Sequence, residues 1–116
     1  MKKLTLNQAW RLCLKQWKWM IPNLNDDNDI EDLKDEYFDV IMAGDNDIPD
    51  NNCYFCEYNE QQGGHSGLGE SGDCSHCPGV LVNKRFSCGN DTYHFATYPL
   101  KFHAKLLELD KKRKAK

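Results

Sequence analysis

Long apolar runs are absent from this sequence of 116 residues. No stretch reaches the roughly eighteen apolar residues that a membrane span requires. The N-terminal segment is interrupted by Arg11, Lys15 and Lys18, unlike the apolar region of a signal peptide. The sequence therefore predicts neither a membrane span nor a signal peptide, and we expect no membrane partner.

Residue patterns of an enzyme are also missing. No H-x-E precedes a P-C-x2-C segment, as it does in zinc deaminases, and the histidines are not clustered as in a nuclease. The acidic turn at Asp26, Asp27 and Asp29 lacks the glycine and the glutamate that an EF-hand loop requires. We therefore predict no catalytic residues and a protein that is not an enzyme.

Basic residues are nearly absent from the middle of the chain. Residues 1–25 carry five basic and no acidic residues, residues 26–73 carry one basic and fifteen acidic, and residues 74–116 carry nine basic and three acidic. The formal net charge of −3 conceals this segregation. We expect the basic ends to neutralise part of the acidic middle within the fold, although an acidic face could also meet a basic partner.

Cysteines, in contrast, form a regular pattern. Cys53-x2-Cys56 and Cys74-x2-Cys77 are separated by seventeen residues, a spacing typical of structural zinc sites. The intervening loop is too rich in glycine to pack a core, so a metal would have to hold its ends together. We predict that these four cysteines bind one structural Zn²⁺ in a closed tetrahedral site. Because four of the six cysteines occupy C-x2-C pairs, we expect a reducing compartment and a cytoplasmic protein.

Several alternatives to this ligand set remain open. Cys88 is the reserve ligand, and His65, His76 and His94 are weaker substitutes. Cys13 is interpreted as a small buried hydrophobic residue. The pattern does not separate zinc from iron, and the first cysteine pair fits either a knuckle or a short helix over residues 53–62.

The fold class predicted from the sequence is α+β. A capping box at Thr5 and Gln8 predicts a first helix over residues 5–21, ended by Pro22. Asp29 is expected to cap a second helix over residues 30–43, with Gly44 as its terminator.

The C-terminal part is expected to alternate between strands and turns. Residues 80–82, 85–88 and 92–97 are rich in β-formers and predict a small antiparallel sheet, resembling a zinc ribbon, on which the N-terminal helices pack. A final helix is expected over residues 100–110. We predict one zinc-stabilised domain over residues 1–116, divided into a helical part (1–44), a zinc-binding part (45–98), the C-terminal helix (99–110) and a basic tail (111–116).

Two surfaces are candidates for binding a partner. Leu12, Lys15 and Trp19 lie on the flank of the first helix, away from its apolar arc, where they could form either a protein-binding surface or a second internal contact. The basic tail is a candidate nucleic-acid contact. Its basic residues are Lys111, Lys112, Arg113, Lys114 and Lys116.

Residues 53–98 carry a resemblance. The order Cys53-x2-Cys56, an acidic and glycine-rich spacer, Cys74-x2-Cys77-Pro78, and a lone Cys88 before an aromatic segment resembles a type of small uncharacterised protein common in tailed-phage genomes. The resemblance implies a zinc-binding phage or prophage accessory protein that acts in the host cytoplasm. Such proteins often bind and redirect host proteins, including immune defences. A nucleic-acid-binding zinc ribbon is the alternative.

Overall fold

The computed structural model describes residues 3–25, 27–41, 49, 53–64 and 74–114. Its described part contains five α-helices and one π-helical segment. In chain order they are α1 (Leu6–Asn23), α2 (Ile30–Glu36), the π-helix (Tyr37–Ile41), α3 (Tyr54–Gln61), α4 (Pro78–Val82) and α5 (Pro99–Lys114). Along the described ranges, no helix combines the length and the apolar composition that crossing a membrane demands.

Helix α1 begins where the sequence predicts. The Thr5 side chain accepts a hydrogen bond from the Gln8 backbone N–H at 3.1 Å, and the Gln8 side chain accepts one from the Thr5 N–H at 2.9 Å. The predicted end is wrong, because Pro22 lies inside the last turn and the helix continues to Asn23. The Asn23 side chain donates to the Trp19 carbonyl at 2.6 Å, so a side chain stabilises the turn that the proline weakens.

The second helix also begins as predicted, with Asp29 accepting from the Asp32 N–H at 2.8 Å. It changes to π-helix at Tyr37, and the predicted terminator Gly44 lies outside the described residues. A π-helical turn contains more residues than an α-helical turn. The apolar stripe consequently includes Phe38, which is 4% exposed, whereas Ile41 is 47% exposed.

The predicted antiparallel sheet is wrong, and with it the α+β class and the zinc-ribbon-like architecture. Within the described ranges the protein is mostly helical and has no strand, only an isolated bridge between Asn25 and Asn28. Residues 80–82 belong to α4, and residues 85–88 and 92–97 form turns or irregular structure.

Local hydrogen bonds explain this error. The Asn83 side chain accepts from the Arg85 N–H at 3.0 Å, and the Asn90 side chain accepts from the Thr92 N–H at 2.8 Å. His94 Nδ1 accepts from the Ala96 N–H at 3.1 Å. These side chains offer the backbone a local alternative to a sheet ladder, so the β-forming residues between them remain in turns.

Helix α1 lies at the centre of the fold and contacts the other four α-helices. The Trp10 ring meets the Phe55 ring of α3 edge-on, with centroids 4.8 Å apart. The Trp17 ring packs against Phe102 of α5 with centroids 4.9 Å apart. Aromatic contacts of α1 therefore connect it to the helix that carries the first C-x2-C pair and to the C-terminal helix.

Candidate metal centre

The first C-x2-C pair lies at the start of a helix, so the short-helix alternative is the one observed. Cys53 is the N-cap of α3, and its Sγ accepts a hydrogen bond from the Cys56 N–H at 3.4 Å. The Cys56 side chain, which hydrogen-bonds to the Cys53 sulfur, contributes most to lowering the pKa of Cys53 to about 5. Lys34 and nearby backbone N–H groups also lower this pKa, whereas burial opposes the shift. This environment favours the thiolate, the form that binds metals.

The second pair forms a turn that is held against α3. The Cys77 N–H donates to the Cys74 carbonyl at 3.0 Å, and the His76 N–H donates to the buried Asn59 side chain at 2.9 Å. Cys77 is the N-cap of α4, with Pro78 as the first helical residue. Burial raises the pKa of Cys77 to about 12, although the N–H groups at the start of α4 act in the opposite direction.

Asn59 is a structural residue of this site that the sequence analysis missed. Besides holding the turn at His76, Asn59 leaves no room beside Gly64, where an added Cβ would lie 2.5 Å from the Asn59 Oδ1 atom. Gly64 has no Cβ and therefore permits this close approach of the Asn59 side chain.

All six cysteines line one cavity of about 380 Å³. They are Cys13, Cys53, Cys56, Cys74, Cys77 and Cys88. Much of the remaining wall is aromatic, with Trp17, Phe55, Phe86, Phe95 and Phe102. The cavity is partly open to solvent, and Cys74 in its wall is exposed.

Two wall cysteines lie outside the C-x2-C pairs. Cys13 is buried, as predicted, but it faces the cavity from the middle of α1. Burial first, and then the charges of Cys53, Cys77 and Cys88, raise its pKa, while Lys34 lowers it. Burial is also the main cause that raises the pKa of Cys88. Electrostatically, these thiols belong to one group.

Lys34 places a positive charge in the cavity wall. Its Nζ lies 4.7 Å from the centre of the Phe95 ring, and its charge lowers the pKa of the nearby thiols. The sequence analysis missed this role, although Lys34 is the one basic residue of the acidic block 26–73. This exception in the charge pattern is the sequence feature that could have indicated a role for Lys34.

The structure brings the predicted ligands Cys53, Cys56, Cys74 and Cys77, and the reserve Cys88, to the same cavity. Within the ranges that the structure describes, no group of three or more His, Cys, Asp or Glu side chains is arranged so that it could hold a metal ion as it stands. A shared cavity is thus observed, and Zn²⁺ binding stays a prediction.

The histidine substitutes lie elsewhere. His76 is exposed, His94 stacks on Phe95 with centroids 5.1 Å apart, and neither lines the cavity. His65 lies outside the described residues.

Most of the predicted protein-binding flank packs against the core of the protein. Leu12 and Trp19 are half-buried and pack against the core, and the Trp19 ring lies 5.6 Å from the Tyr37 ring. Lys15 is exposed. Of the two interpretations of this flank, the internal contact is the one observed. Partner binding stays a prediction.

The predicted basic tail is helical as far as it is described. Lys111, Lys112, Arg113 and Lys114 extend α5 beyond its predicted end at Asp110, and Lys116 lies outside the described residues. Arg113 is half-buried over the Trp10 ring, 5.1 Å from its centre, and donates to Asp110 at 2.6 Å. Burial alone would raise the pKa of Asp110, but hydrogen bonds from Arg113 and Lys114 hold it below its ordinary value.

No protein-family model, no curated protein and no solved structure matches this chain.

Proposed function

We propose that this chain is a non-enzymatic accessory protein that binds another protein, and that its cysteines hold a metal centre which stabilises the fold. The convergence of six cysteines on one cavity supports the metal centre. Binding is supported by one observation, an exposed apolar stripe on α5. The resemblance of residues 53–98 to small tailed-phage proteins supports a host protein as the partner, including one of the host's defences.

The donor set suits a thiophilic metal. Thiolates are soft ligands that select zinc, copper(I) or iron–sulfur centres. The Cys56 side chain, Lys34 and backbone N–H groups favour the thiolate of Cys53, whereas a metal would have to displace the proton that burial favours on Cys77. A bound structural metal would tie α3 to α4. The Zn²⁺ predicted from the cysteine spacing is the first candidate for this centre.

The exposed stripe on α5 consists of Leu100, Ala104 and Leu107 and is hereafter called the α5 stripe. Leu100 is 65% exposed and Leu107 is 50% exposed, and Ala104 is also exposed. Spacings of four and three residues place the three side chains on one helix face. Phe102, Leu106 and Leu109 bury the opposite face in the core. A helix that is already anchored in this way can present its outer apolar face to a groove of a partner.

Charges beside the α5 stripe indicate the chemistry of the partner. Lys101 and Lys111 are exposed at its two ends, and the neighbouring carboxylate of Glu108 is paired with Lys105 and Lys112. A partner groove with an apolar floor and acidic edges would complement this surface, because charges at the rim select and orient partners. The proposed partner surface is therefore apolar and acidic.

Nucleic acid is the weaker alternative. Lys112 lies 3.8 Å from Glu108, Lys114 lies 3.0 Å from Asp110, and Arg113 also pairs with Asp110. These carboxylates offset part of the positive charge that a phosphate backbone would require. The alternative predicts binding that weakens steeply with salt and that requires residues 111–116.

Leu107→Asp is expected to abolish capture of the host partner. A charge in the centre of an apolar contact should weaken capture at least about tenfold, as for a residue worth more than about 1.4 kcal/mol. Because Leu107 is half exposed, metal content and melting temperature should change little. The measurement is quantitative pull-down of the same host protein by both forms.

Leu81→Asp is the matched control, since Leu81 is also 50% exposed but lies on α4. It should leave capture unchanged. Equal loss of capture in both variants would contradict the assignment of binding to the α5 stripe.

Trp19→Ala should lower the melting temperature, since it removes the contact with Tyr37. Thermal unfolding followed by circular dichroism measures this effect. If the variant instead melts like the unmodified protein and loses partner capture, the flank of Leu12, Lys15 and Trp19 is the binding surface.

A further inference from the structure

We propose that two copies of this chain associate through the α5 stripe of one copy and an acidic surface beside the π-helix of the other. This acidic surface consists of Val40 and Ile41 with Glu36 and Asp39, and it is hereafter called the π-helix patch. The inference rests on the proposed function, which assigns binding to the α5 stripe, and it names a second copy as an occupant of that stripe.

Exposed apolar side chains are concentrated on these two surfaces. Val40 is 63% exposed, and its neighbour Ile41 is exposed as well. In the described part of the chain, four of the six large apolar side chains that are exposed belong to the two surfaces. They are Val40, Ile41, Leu100 and Leu107. Burial of apolar area drives most protein association, and one contact between the two surfaces would cover all four side chains.

The π-helical turn is the reason that the patch exists. In a continuous α-helix, the four-residue spacings of Leu33, Tyr37 and Ile41 would place all three on the same face. Leu33 and Tyr37 are buried, but the helix becomes a π-helix at Tyr37, and Phe38 is buried in place of Ile41. The wider turn thus brings Ile41 to the exposed side, next to Val40. Such π-helical turns are frequent at functional sites.

Acidic side chains border the patch. Glu36 and Asp39 are exposed, and Glu36 lies four residues before Val40 and five before Ile41, so it is about one turn away on the same side. Within the ranges that the structure describes, neither carboxylate pairs with a basic side chain. Their negative charges can therefore meet a basic surface of another molecule.

The α5 stripe has the charges that complement this patch. Lys101 and Lys111 are exposed at its two ends, and the nearby Glu108 is neutralised by Lys105 and Lys112. The stripe fits a partner surface with an apolar floor and acidic edges, and the π-helix patch of a second copy offers both. Opposite charges around an apolar contact steer and orient the partners.

The two surfaces consist of different residues, so a single contact leaves one surface of each copy uncovered. A two-fold arrangement that closes would cover both pairs, whereas an arrangement that does not close would continue into longer assemblies. Each surface contains only a few residues, compared with about 20–30 on each side of a standard interface. We therefore expect a weak and reversible association, which a host partner on the α5 stripe would displace.

Sedimentation velocity of the full chain in reducing buffer, over a series of protein concentrations, tests this proposal. The sedimentation coefficient of the unmodified protein should rise with concentration, and less so at high salt. Leu107→Asp and Val40→Asp should each weaken the association at least about tenfold, as expected for an apolar residue central to a contact. An equimolar mixture of the two variants should form a 1:1 complex, because one supplies an intact π-helix patch and the other an intact α5 stripe.

Leu81→Asp is again the matched control and should associate like the unmodified protein. If Val40→Asp or Leu107→Asp does not fold, as shown by circular dichroism, Ile41→Asp or Leu100→Asp replaces it. An unmodified protein that stays monomeric at every concentration would overturn the proposal. A mixture of the two variants that stays monomeric, although the unmodified protein associates, would overturn it equally.

Capture of the host partner separates this proposal from the proposed function. Val40→Asp should lose self-association and still capture the host partner, since its α5 stripe is intact. If Leu107→Asp loses host capture but associates like the unmodified protein, self-association through the α5 stripe is wrong and the proposed function stands. If Leu107→Asp loses self-association but captures the host partner normally, the self-association stands and the host partner binds elsewhere.

Discussion

Removing the proposed metal with a strong chelator is expected to unfold most of the protein. Structural zinc contributes about 10–16 kcal/mol in small peptides, and a typical domain is stable by about 5–15 kcal/mol. The cavity lies between α1, α3, α4 and α5. Loss of a metal bound there would therefore separate the helices that form the core. Circular dichroism should show a large loss of helical signal and no cooperative melting transition.

The control for this experiment is the same chelator already saturated with metal, which should leave the spectrum unchanged. The expectation fails if the metal is removed, as shown by elemental analysis, and the melting temperature remains the same. In that case the cysteines would hold a metal that the fold does not need.

Trp10→Ala is expected to be the most destabilising substitution outside the cysteines. Trp10 is fully buried, contacts Phe55 of α3 and lies beneath the guanidinium of Arg113 in α5. Replacing a buried tryptophan by alanine typically costs about 3–5 kcal/mol, because it removes apolar contacts and leaves a cavity. Chemical denaturation should show this loss as a lower midpoint.

Trp19→Ala is the matched control for this substitution. Trp19 is a tryptophan of the same helix, but it is half-buried, so its loss should cost clearly less. Equal shifts in the denaturation midpoint would mean that Trp10 does not connect α1, α3 and α5 in the way the contacts indicate.

The starts of α1 and α2 were predictable because they depend on local chemistry. Thr5 with Gln8 and Asp29 with Asp32 form their capping boxes within four residues of sequence. Helix ends were less predictable. Pro22 lies within α1, and α5 continues to Lys114, where Arg113 gains contacts with Trp10 and Asn7 from the other end of the chain.

The predicted strands failed for a physical reason. β-propensity depends on neighbouring strands and on burial more than on the backbone itself. Residues 85–97 contain β-formers, but asparagine, serine and histidine side chains among them hydrogen-bond to nearby backbone groups. A sequence pattern does not show whether hydrogen bonds between strands or these local side-chain hydrogen bonds are more favourable in the folded chain.

By itself, the sequence determined the caps of α1 and α2, the burial of Cys13 and the convergence of the two C-x2-C pairs, since each follows from spacing along the chain or from periodicity. Tertiary structure alone decided that Cys13, Cys88 and Lys34 join those pairs around one cavity. They lie on α1, in the turns after α4 and on α2, and only the packing of distant segments brings them together. Local propensity contains no information about such long-range contacts.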